Sequence, residues 1–448
     1  MDLLNQIYEA GIVGCGGAGF PTHVKLKGNV EYLLLNGAEC EPLLRTDRYI
    51  MINEADKVVR AAQAVKDFLG AKECQIALKQ TYTKEIAALE KAIKSQKSQV
   101  KLLRMQSFYP AGDEQMIVYE ATGRVVPPGG IPLDVGCVVS NIATMFCISE
   151  AMEGRAFTRK YLTVTGEVRT PSVLQVPLGT SFTDCIRLAG GAKKDRYFII
   201  SGGPMMGKPL TMEQAGEAVV TKTTSGILVL PVTSYLAMQN EITVQHMLNR
   251  ARSACIQCSY CTQMCPRHLI GHPLKPHKIM RKMAFGRDLS QLLEDKDIQN
   301  AAICCECGIC EQYACPMGLQ PRRVNALLKG ELRKAGIRYT REDKAWTADP
   351  NREDRKAPTK RVAARVGVMA WYDYDIQTFT EGRPDSVSIP LQMHIGAPSV
   401  PVVKPGDAVT CGQLIADCRE GSLGAKIHAS VDGTVKAVGD KITIERNG

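Results

Sequence analysis

The chain has 448 residues, of which 45% are hydrophobic and 23% charged, and its formal net charge is +10. This length exceeds one ordinary core and predicts roughly two to four domains, and no segment offers the ~20 uninterrupted apolar residues of a membrane span. Lys and Arg are spread along the sequence and are densest over residues 341–365, so the charge indicates a solvated surface rather than a nucleic-acid groove. Seventeen cysteines without a signal peptide predict a reducing, cytoplasmic location.

The first third of the chain alternates strand-like apolar runs with helical stretches. Residues 30–36 and 74–79 are predicted as strands, and residues 54–69 and 84–94 as helices. This alternation is typical of an α/β layer fold, which we assign to residues 1–155. Residues 156–235 combine strands at 197–200 and 227–230 with a short helix at 183–189, which predicts a small α+β domain.

Two cysteine motifs dominate residues 240–340, a region that is otherwise predicted to be helical. The first motif, Cys-x2-Cys-x2-Cys-x3-Cys-Pro, begins at Cys255, and the second, Cys-x2-Cys-x2-Cys-x4-Cys-Pro, begins at Cys304. This spacing is typical of proteins that hold two [4Fe–4S] clusters, in which the cysteine before Pro ligates the cluster of the other motif. One cluster is therefore assigned to Cys255, Cys258, Cys261 and Cys315, and the other to Cys304, Cys307, Cys310 and Cys265.

Two other interpretations of these cysteines are weaker. Zinc knuckles use two Cys pairs rather than three cysteines and a Cys-Pro. A disulfide framework suits a small secreted chain, and this chain is neither small nor signal-bearing. Cys305 is expected not to ligate a cluster, because its spacing to Cys307 is too short.

The C-terminal part of the chain has a different character. Residues 341–385 are polar and charged with little periodicity, which predicts a linker. Over residues 386–448, short strand-like runs alternate with glycine-containing turns such as Pro405-Gly406-Asp407. This pattern predicts a small all-β domain.

A glycine-rich segment near the N-terminus predicts a cofactor site. Residues 14–19 read Gly-Cys-Gly-Gly-Ala-Gly, and such a loop lets backbone N–H groups approach a phosphate or a flavin ring closely. Lys25 follows with a positive charge suited to a phosphate, and Asn36 ends an apolar strand, where open α/β sheets bind their ligands. Polar segments at residues 109–114 and 140–144 supply further groups on predicted loops.

These segments, in this order, resemble the flavoprotein subunit of respiratory complex I and the C subunit of Rnf-type ferredoxin:NAD oxidoreductases. Besides the glycine-rich loop, the shared motifs are Asn-x2-Glu-x-Glu-Pro from Asn36, Tyr-x2-Gly-x-Glu from Tyr109 and Asn-x2-Thr from Asn141. Ala38 and Ser140 depart from the complex I pattern, which has an acidic residue and a second Asn at these positions.

The resemblance implies that this domain binds FMN and presents it to NADH. It implies FMN contacts from Gly14, Gly16, Gly17, Gly19, Lys25, Asn36, Asn141 and Thr144. Phe20, Glu41 and Glu114 would lie on the nicotinamide side, and Gly112 is a further cofactor-binding residue by the same resemblance.

The order of the domains narrows the resemblance. Residues 163–191 and 202–207 look like a soluble-ligand-binding β-grasp (SLBB) domain. Residues 392–433 look like the barrel-sandwich hybrid domain that the C subunits of Rnf-type complexes carry at their N-terminus. Its C-terminal position here, the total length and the segment from Cys265 to His272 resemble the cobalamin reductases of propanediol-utilisation microcompartments.

This resemblance implies an NADH-dependent oxidoreductase that uses FMN and two [4Fe–4S] clusters to reduce cobalamin to cob(I)alamin for adenosylation. The implied partners are NADH, cobalamin or a cobalamin adenosyltransferase, and a microcompartment shell protein, with a location in the cytoplasm or inside a bacterial microcompartment. Two alternatives stand beside it: an electron-transfer subunit of a larger Rnf-like complex, and a module that binds cobalamin or a partner protein. No catalytic acid or base is expected, because the cofactors carry the chemistry.

Overall fold

The computed structural model describes residues 2–28, 30–285, 289–374, 376, 378–419 and 421–447. The N-terminal domain is built on a parallel four-stranded sheet with the order β3-β2-β1-β5. Its strands are β1 (Tyr32–Asn36), β2 (Glu73–Lys79), β3 (Lys101–Met105), the short β4 (Phe108–Tyr109), which lies outside this sheet, and β5 (Cys137–Asn141). Its helices are α1 (Leu3–Glu9), α2 (Thr22–Lys25), α3 (Thr46–Asn53), α4 (Ala55–Leu69), α5 (Thr83–Ser95), α6 (Glu114–Thr122) and α7 (Ile142–Met152). The predicted strands and helices of this α/β layer are thus confirmed.

The spacing of apolar residues explains why these elements form and how they pack. Leu33, Leu34 and Leu35 of β1 are all fully buried, as expected of a central parallel strand covered on both faces. Along α4, buried apolar residues recur at helical spacing and face the core. Gly70 ends α4 with φ +61°, a left-handed conformation that glycine adopts without strain.

The second domain is a six-stranded mixed sheet with the order β12-β7-β6-β10-β8-β9. Its own strands are β6 (Arg159–Gly166), β7 (Ser172–Pro177), β8 (Tyr197–Ser201), β9 (Lys208–Leu210) and β10 (Gly226–Pro231). Two short helices accompany it, α8 (Phe182–Leu188) and α9 (Met212–Glu217). The sixth strand, β12 (Phe379–Glu381), comes from a distant segment and pairs in parallel with β7.

The cysteine motifs lie in a third, helical region. Its helices are α10 (Tyr235–Asn240), α11 (Val244–Ala254), α12 (Tyr260–Gln263), α13 (Pro266–Leu269), α14 (Pro276–Phe285), α15 (Leu289–Leu293), α16 (Lys296–Gln299) and α17 (Pro321–Lys334). A 3₁₀ turn at Asn300–Ile303 leads into the second cysteine loop, and a π-helical turn at Ile309–Tyr313 follows it. Among the described residues, no helix is long and apolar enough to cross a bilayer.

The segment that was expected to be a linker is folded against the other domains. Strand β11 (Ala357–Pro358) pairs with β4 of the N-terminal domain, and helix α18 (Thr359–Arg365) follows it. Val362 and Trp371 are buried in a cluster that also contains Tyr109. The sequence did not indicate that this segment is folded, because its few apolar residues stand among many charged ones. In addition, both of its short strands pair with partners far away in the chain.

The C-terminal domain is all β, as predicted. One sheet has the order β13-β19-β18-β15 and the other the order β14-β16-β17. The strands are β13 (Ser386–Pro390), β14 (Val400–Pro401), β15 (Ala408–Val409), β16 (Leu414–Asp417), β17 (Ile427–His428), β18 (Gly433–Val438) and β19 (Lys441–Arg446). This domain packs against the glycine-rich segment, since Ile395 donates a backbone hydrogen bond of 3.1 Å to the Gly19 carbonyl.

Candidate functional site: a flavin cleft beside two cysteine loops

A cleft of ≈ 580 Å³ opens at the carboxyl ends of β1 and β5. The chain runs from β1 outward through β2 and β3 and then returns to place β5 on the other side of β1. Ligands of open α/β sheets bind where the strand order reverses in this way. The volume falls in the range of about 300–1,000 Å³ that is usual for small-molecule sites.

Eleven of the twelve predicted cofactor residues line this cleft. They are Gly14, Gly16, Gly17, Gly19, Phe20, Lys25, Asn36, Gly112, Glu114, Asn141 and Thr144. Ser140 lines it as well, whereas Ala38 is fully buried and does not. The sequence did not single out the apolar wall of the cleft, which includes Val24, Leu26 and Leu133, because isolated apolar residues in loops carry no pattern.

The glycine-rich loop leaves room for a flat ligand at one position and touches the wall of the cleft at another. A Cβ atom at Gly17 would meet nothing within 4 Å, so the backbone there is open to a ligand. A Cβ atom at Gly16 would stand 2.8 Å from Cγ of Asn141. The backbone N–H of Cys15 donates to Oγ1 of Thr144 at 3.0 Å, which fixes the loop against the start of α7.

Hydrogen bonds hold the polar side chains of the cleft in place. Asn36 donates through Nδ2 to the carbonyl of Gly112 at 2.8 Å. Asn141 caps α7 by accepting from the N–H of Ala143, and its Nδ2 donates to Oδ2 of Asp47 at 2.7 Å. These bonds orient both amides before any ligand binds, and this reduces the ordering that ligand binding requires.

Charged groups and the open glycine loop fit FMN. Nζ of Lys25 lies 3.7 Å from Oε2 of Glu114, and both side chains are more than a third exposed, so the lysine can turn toward a phosphate without losing a buried partner. The N-terminus of α7, with Thr144 in its first turn, faces the same space and favours an anion. The residues present therefore suit an aromatic ring system that carries a phosphate.

Glu41 is the predicted cofactor residue that the structure places outside this cleft. Its Oε2 accepts from the N–H of Met205 at 2.9 Å and its Oε1 from that of Met206 at 2.8 Å. Burial raises the pKa of Glu41 to about 7. The carboxyl thus joins the N-terminal domain to the second domain, an arrangement that depends on residues 164 positions away in sequence.

The two cysteine loops share one backbone conformation. Gln257 and Glu306, the third residue of each Cys-x2-Cys-x2-Cys loop, have φ of +58° and +57°. Ser259 and Gly308, the fifth residue of each loop, have φ of +61° and +82°. The two loops therefore repeat left-handed backbone angles at equivalent positions, and three of these four residues are not glycine, for which such angles are uncommon.

The structure brings thiols of the two cysteine motifs close to one another. Burial, and after it the neighbouring Cys315, Cys255 and Cys258, raise the pKa of Cys261 to about 12. Cys265, Cys304, Cys307 and Cys310 line one small cavity together with Cys305. Cys265 of the first motif thus lies with the thiols of the second, and Cys315 of the second lies near those of the first, while the ligation of two clusters by these sets stays a prediction.

Backbone and side-chain donors approach the sulfur atoms. The N–H of Glu306 lies 3.4 Å from Sγ of Cys304, Nδ2 of Asn325 lies 3.6 Å from the same sulfur, and the N–H of Leu319 lies 3.3 Å from Sγ of Cys315. Such donors stabilise the negative charge of a cluster and adjust its potential. Within the described ranges, no three His, Cys, Asp or Glu side chains surround a single metal ion. A cubane differs from such a site, because each of its cysteines binds a separate iron atom.

Two contacts connect the flavin domain to the two cysteine motifs. The hydroxyl of Tyr109 donates to the carbonyl of Cys307 at 2.8 Å. Arg267, two residues after Cys265, makes a buried bidentate pair with Asp113 at 2.7 and 2.9 Å. Asp113 lies between the cleft residues Gly112 and Glu114, so the two sites form one assembly. Spacing along the sequence could not reveal this pair, whose members are 154 residues apart.

Four models of known domains match the chain in succession. They are the Nuo51 FMN-binding domain at residues 7–150, the SLBB domain at 161–209, the 4Fe-4S dicluster domain at 254–320 and the RnfC barrel sandwich hybrid domain at 375–448. These matches confirm the predicted domain types, and the last one begins inside the segment that was expected to be a linker.

Similar proteins extend over nearly the whole chain. The cobalamin reductase PduS of Salmonella typhimurium is 42% identical over 450 residues, which is 99% of this chain and 96% of the relative. The protein of the same name from Citrobacter freundii is 41% identical and covers 98% of the chain and 96% of the relative. The C subunit of the proton-translocating ferredoxin:NAD(+) oxidoreductase complex of Clostridium ljungdahlii is 38% identical over 274 residues, 60% of this chain and 56% of that relative. With its FMN-binding domain, its 4Fe–4S dicluster domain and this full-length similarity, the chain belongs to the PduS family of cobalamin reductases.

Proposed function

We propose that this oxidoreductase takes electrons from NADH at the flavin cleft and delivers them through two [4Fe–4S] clusters to cobalamin, which is reduced to cob(I)alamin. A bound FMN would supply hydride acceptance and single-electron release, and cubanes held by the two cysteine motifs would supply one-electron transfer. The observation that carries the proposal is the contact of the flavin domain with both cysteine motifs, through the Tyr109–Cys307 hydrogen bond and the Asp113–Arg267 pair.

The residues of the cleft supply binding and orientation. Lys25 and the N-terminus of α7 favour a phosphate at one end, and Gly17 lets the backbone approach a flat ring. Asn36 and Asn141 are held by hydrogen bonds in fixed orientations. Phe20 and Glu114 line the same space, and by the family resemblance they would face the nicotinamide.

The exposure of the cysteines supports a direction for the electrons. Cys265, Cys304, Cys307 and Cys310 are buried, and their loop contacts the flavin domain. Cys255, Cys258 and Cys261 are only partly buried, and their neighbours Ile256 and Tyr260 are 60% and 52% exposed. The buried set would therefore hold the cluster nearer the flavin domain, and the partly exposed loop would hold the cluster nearer the acceptor.

The same exposed loop favours a second candidate function, in which the acceptor is a protein. The similarity to the C subunit of a ferredoxin:NAD(+) oxidoreductase complex supports this alternative. An apolar, half-exposed surface next to a cluster suits a transient protein contact. An adenosyltransferase, a shell protein and a location inside a microcompartment stay predictions of the family resemblance.

The test uses anaerobically purified protein with its iron and flavin quantified. About eight irons and one FMN per chain are expected from two cubanes and one cleft. On addition of NADH and cob(III)alamin, the cobalamin spectrum should change to that of the reduced corrinoid, and protein stripped of flavin should not produce this change. Reduction of the clusters by NADH without reduction of cobalamin at any pH would reject cobalamin as the acceptor and favour a protein partner.

A further inference from the structure

A second cavity, of ≈ 320 Å³, opens at the same edge of the parallel sheet, beyond β2 rather than β5. The end of β2, the loop into α5, the start of α3 and residues 372–374 form its walls. The predicted cofactor site does not account for this cavity, because Glu41 is the sole predicted cofactor residue among its lining.

The carboxylates of this cavity are already engaged by other groups. Two of them accept backbone hydrogen bonds: Glu39 from the N–H groups of Asp47 and Arg48, and Glu41 from those of Met205 and Met206. Glu85 forms an ion pair with Arg48. The carboxylate of Asp373 lies 3.5 Å from Nζ of Lys360. Their charges are therefore directed away from a ligand or balanced by a partner.

Lys79 differs from these groups. It lines the cavity, and the residue is 3% exposed. Its ammonium makes a 3.5 Å contact with the carbonyl of Glu39 and stands 5.5 Å from the ring centre of Tyr82, and no carboxylate of the described chain lies within ion-pair distance. Burial lowers the pKa of Lys79 to about 8. An ammonium has three donors, and a buried cation without an anion is costly, so the site is electrostatically incomplete.

Two further features favour an anion at the same place. The guanidinium of Arg45 donates only to carbonyl oxygens in the described structure, those of Leu44 and Tyr372, each at 2.7 Å. Helix α5 has 13 residues and begins at the cavity without a side-chain cap. Its first-turn N–H groups and the helix dipole attract negative charge.

We propose that this cavity binds the phosphate group of a small ligand between Lys79, Arg45 and the N-terminus of α5. A lysine supplies a point charge, an arginine supplies paired donors and a helix start supplies backbone N–H groups, a combination that recurs in phosphate sites. The phosphate belongs either to the dinucleotide donor or to a separate nucleotide.

The test is calorimetric titration of the anaerobic holoprotein with inorganic pyrophosphate. Lys79→Met should weaken binding at least about ten-fold, because it removes a charge-assisted bond. Lys79→Arg should retain most of the binding. Lys91→Met is the matched control, since Lys91 is an exposed lysine of α5 that lies outside the cavity, and the affinity of this variant should equal that of the wild type.

Steady-state kinetics then separate the two sources of phosphate. If the phosphate is that of the donor, pyrophosphate competes with NADH, and Lys79→Met raises the KM for NADH more than it lowers kcat. If a separate ligand binds, pyrophosphate binds to the holoprotein without changing the KM for NADH. Wild-type protein that fails to bind pyrophosphate, or Lys79→Met protein that binds it as tightly as the wild type, would overturn the proposal, whether or not cobalamin is reduced.

Discussion

The hydroxyl of Tyr109 donates a hydrogen bond of 2.8 Å to the backbone carbonyl of Cys307, which joins the flavin domain to a predicted cluster ligand 198 residues away. Tyr109 is almost fully buried, and its hydroxyl also lies 3.4 Å from Oε1 of Glu41. The side chain of Tyr109 thus contacts both the second cysteine loop and the carboxyl group of Glu41, which in turn accepts hydrogen bonds from the second domain. The rigidity of this junction should matter for electron transfer across it.

We expect Tyr109→Phe to destabilise this junction. The variant keeps the ring but leaves the Cys307 carbonyl without its partner, so the free energy of unfolding should fall by about 1–3 kcal/mol. Urea denaturation of the anaerobic holoprotein measures this loss. Tyr260→Phe is the control, because Tyr260 is 52% exposed, and it should unfold like the wild type. Equal stability of both variants would show that the Tyr109 bond contributes nothing.

If the Cys-Pro cysteine of each motif ligates the cluster of the other motif, cysteine variants from different motifs should share a phenotype. Cys265 belongs to the first motif, but we expect Cys265→Ser to lose the same cluster as Cys307→Ser, because both line one cavity. Cys258→Ser and Cys315→Ser should lose the other cluster. Each variant should retain about four irons, and the electron paramagnetic resonance spectrum of the reduced protein identifies the remaining cluster.

Cys305→Ser provides the control for this series. Cys305 lies beside the same cavity but has the wrong spacing for a ligand, so the variant should retain about eight irons. A Cys265→Ser spectrum that matches Cys258→Ser would instead mean that each motif holds its own cluster.

The buried Glu41 predicts a pH dependence of stability. Burial raises its pKa from 4.5 to about 7, so the folded state binds the proton more tightly than the unfolded state does. The contribution of Glu41 to the free energy of unfolding is therefore fully present below the unfolded value, falls as pH rises between the two values, and is lower by about 3 kcal/mol above the folded value.

Glu41→Gln removes this titration. Urea midpoints at several pH values between about 5.5 and 8 should fall with pH in the wild type and change less in Glu41→Gln. Glu213→Gln, an exposed change in α9, should follow the wild type. Parallel curves for all three proteins would contradict the raised pKa.

The glycine loop predicts a flavin-specific defect in Gly16→Ala. The added Cβ atom would stand 2.8 Å from Cγ and Nδ2 of Asn141 and must displace an amide that caps α7. Losing one oriented hydrogen bond should weaken FMN binding about ten-fold, as measured by fluorescence of flavin released from the protein. The iron content should not change.

Gly216→Ala is the matched control for that loop. A Cβ atom at Gly216 would meet nothing within 4 Å, so flavin retention should equal that of the wild type. If Gly16→Ala also retained its flavin fully, Asn141 would not be an FMN contact.

The sequence alone predicted the α/β layer, the all-β C-terminal domain and the cysteine sets, because these depend on local periodicity and on short motifs. The glycine loop, Lys25 and the strand end at Asn36 pointed to the cleft from their own chemistry, while the family resemblance supplied residues such as Asn141 and Thr144. It did not predict that residues 357–358 and 379–381 are strands, because each pairs with a partner in another domain.

By itself, then, the sequence indicated the types of domain and the residues suited to hold flavin and iron–sulfur clusters. It could do so because cysteine and glycine motifs with a fixed spacing are typical of such sites. Only the tertiary structure decided how these parts meet. It turned Glu41 away from the cleft toward Met205, paired Arg267 with Asp113, and placed Lys79 in a second cavity where no carboxylate of the described residues lies within ion-pair distance of it. Contacts between residues so far apart in the chain depend on how the domains pack, and no local pattern records them.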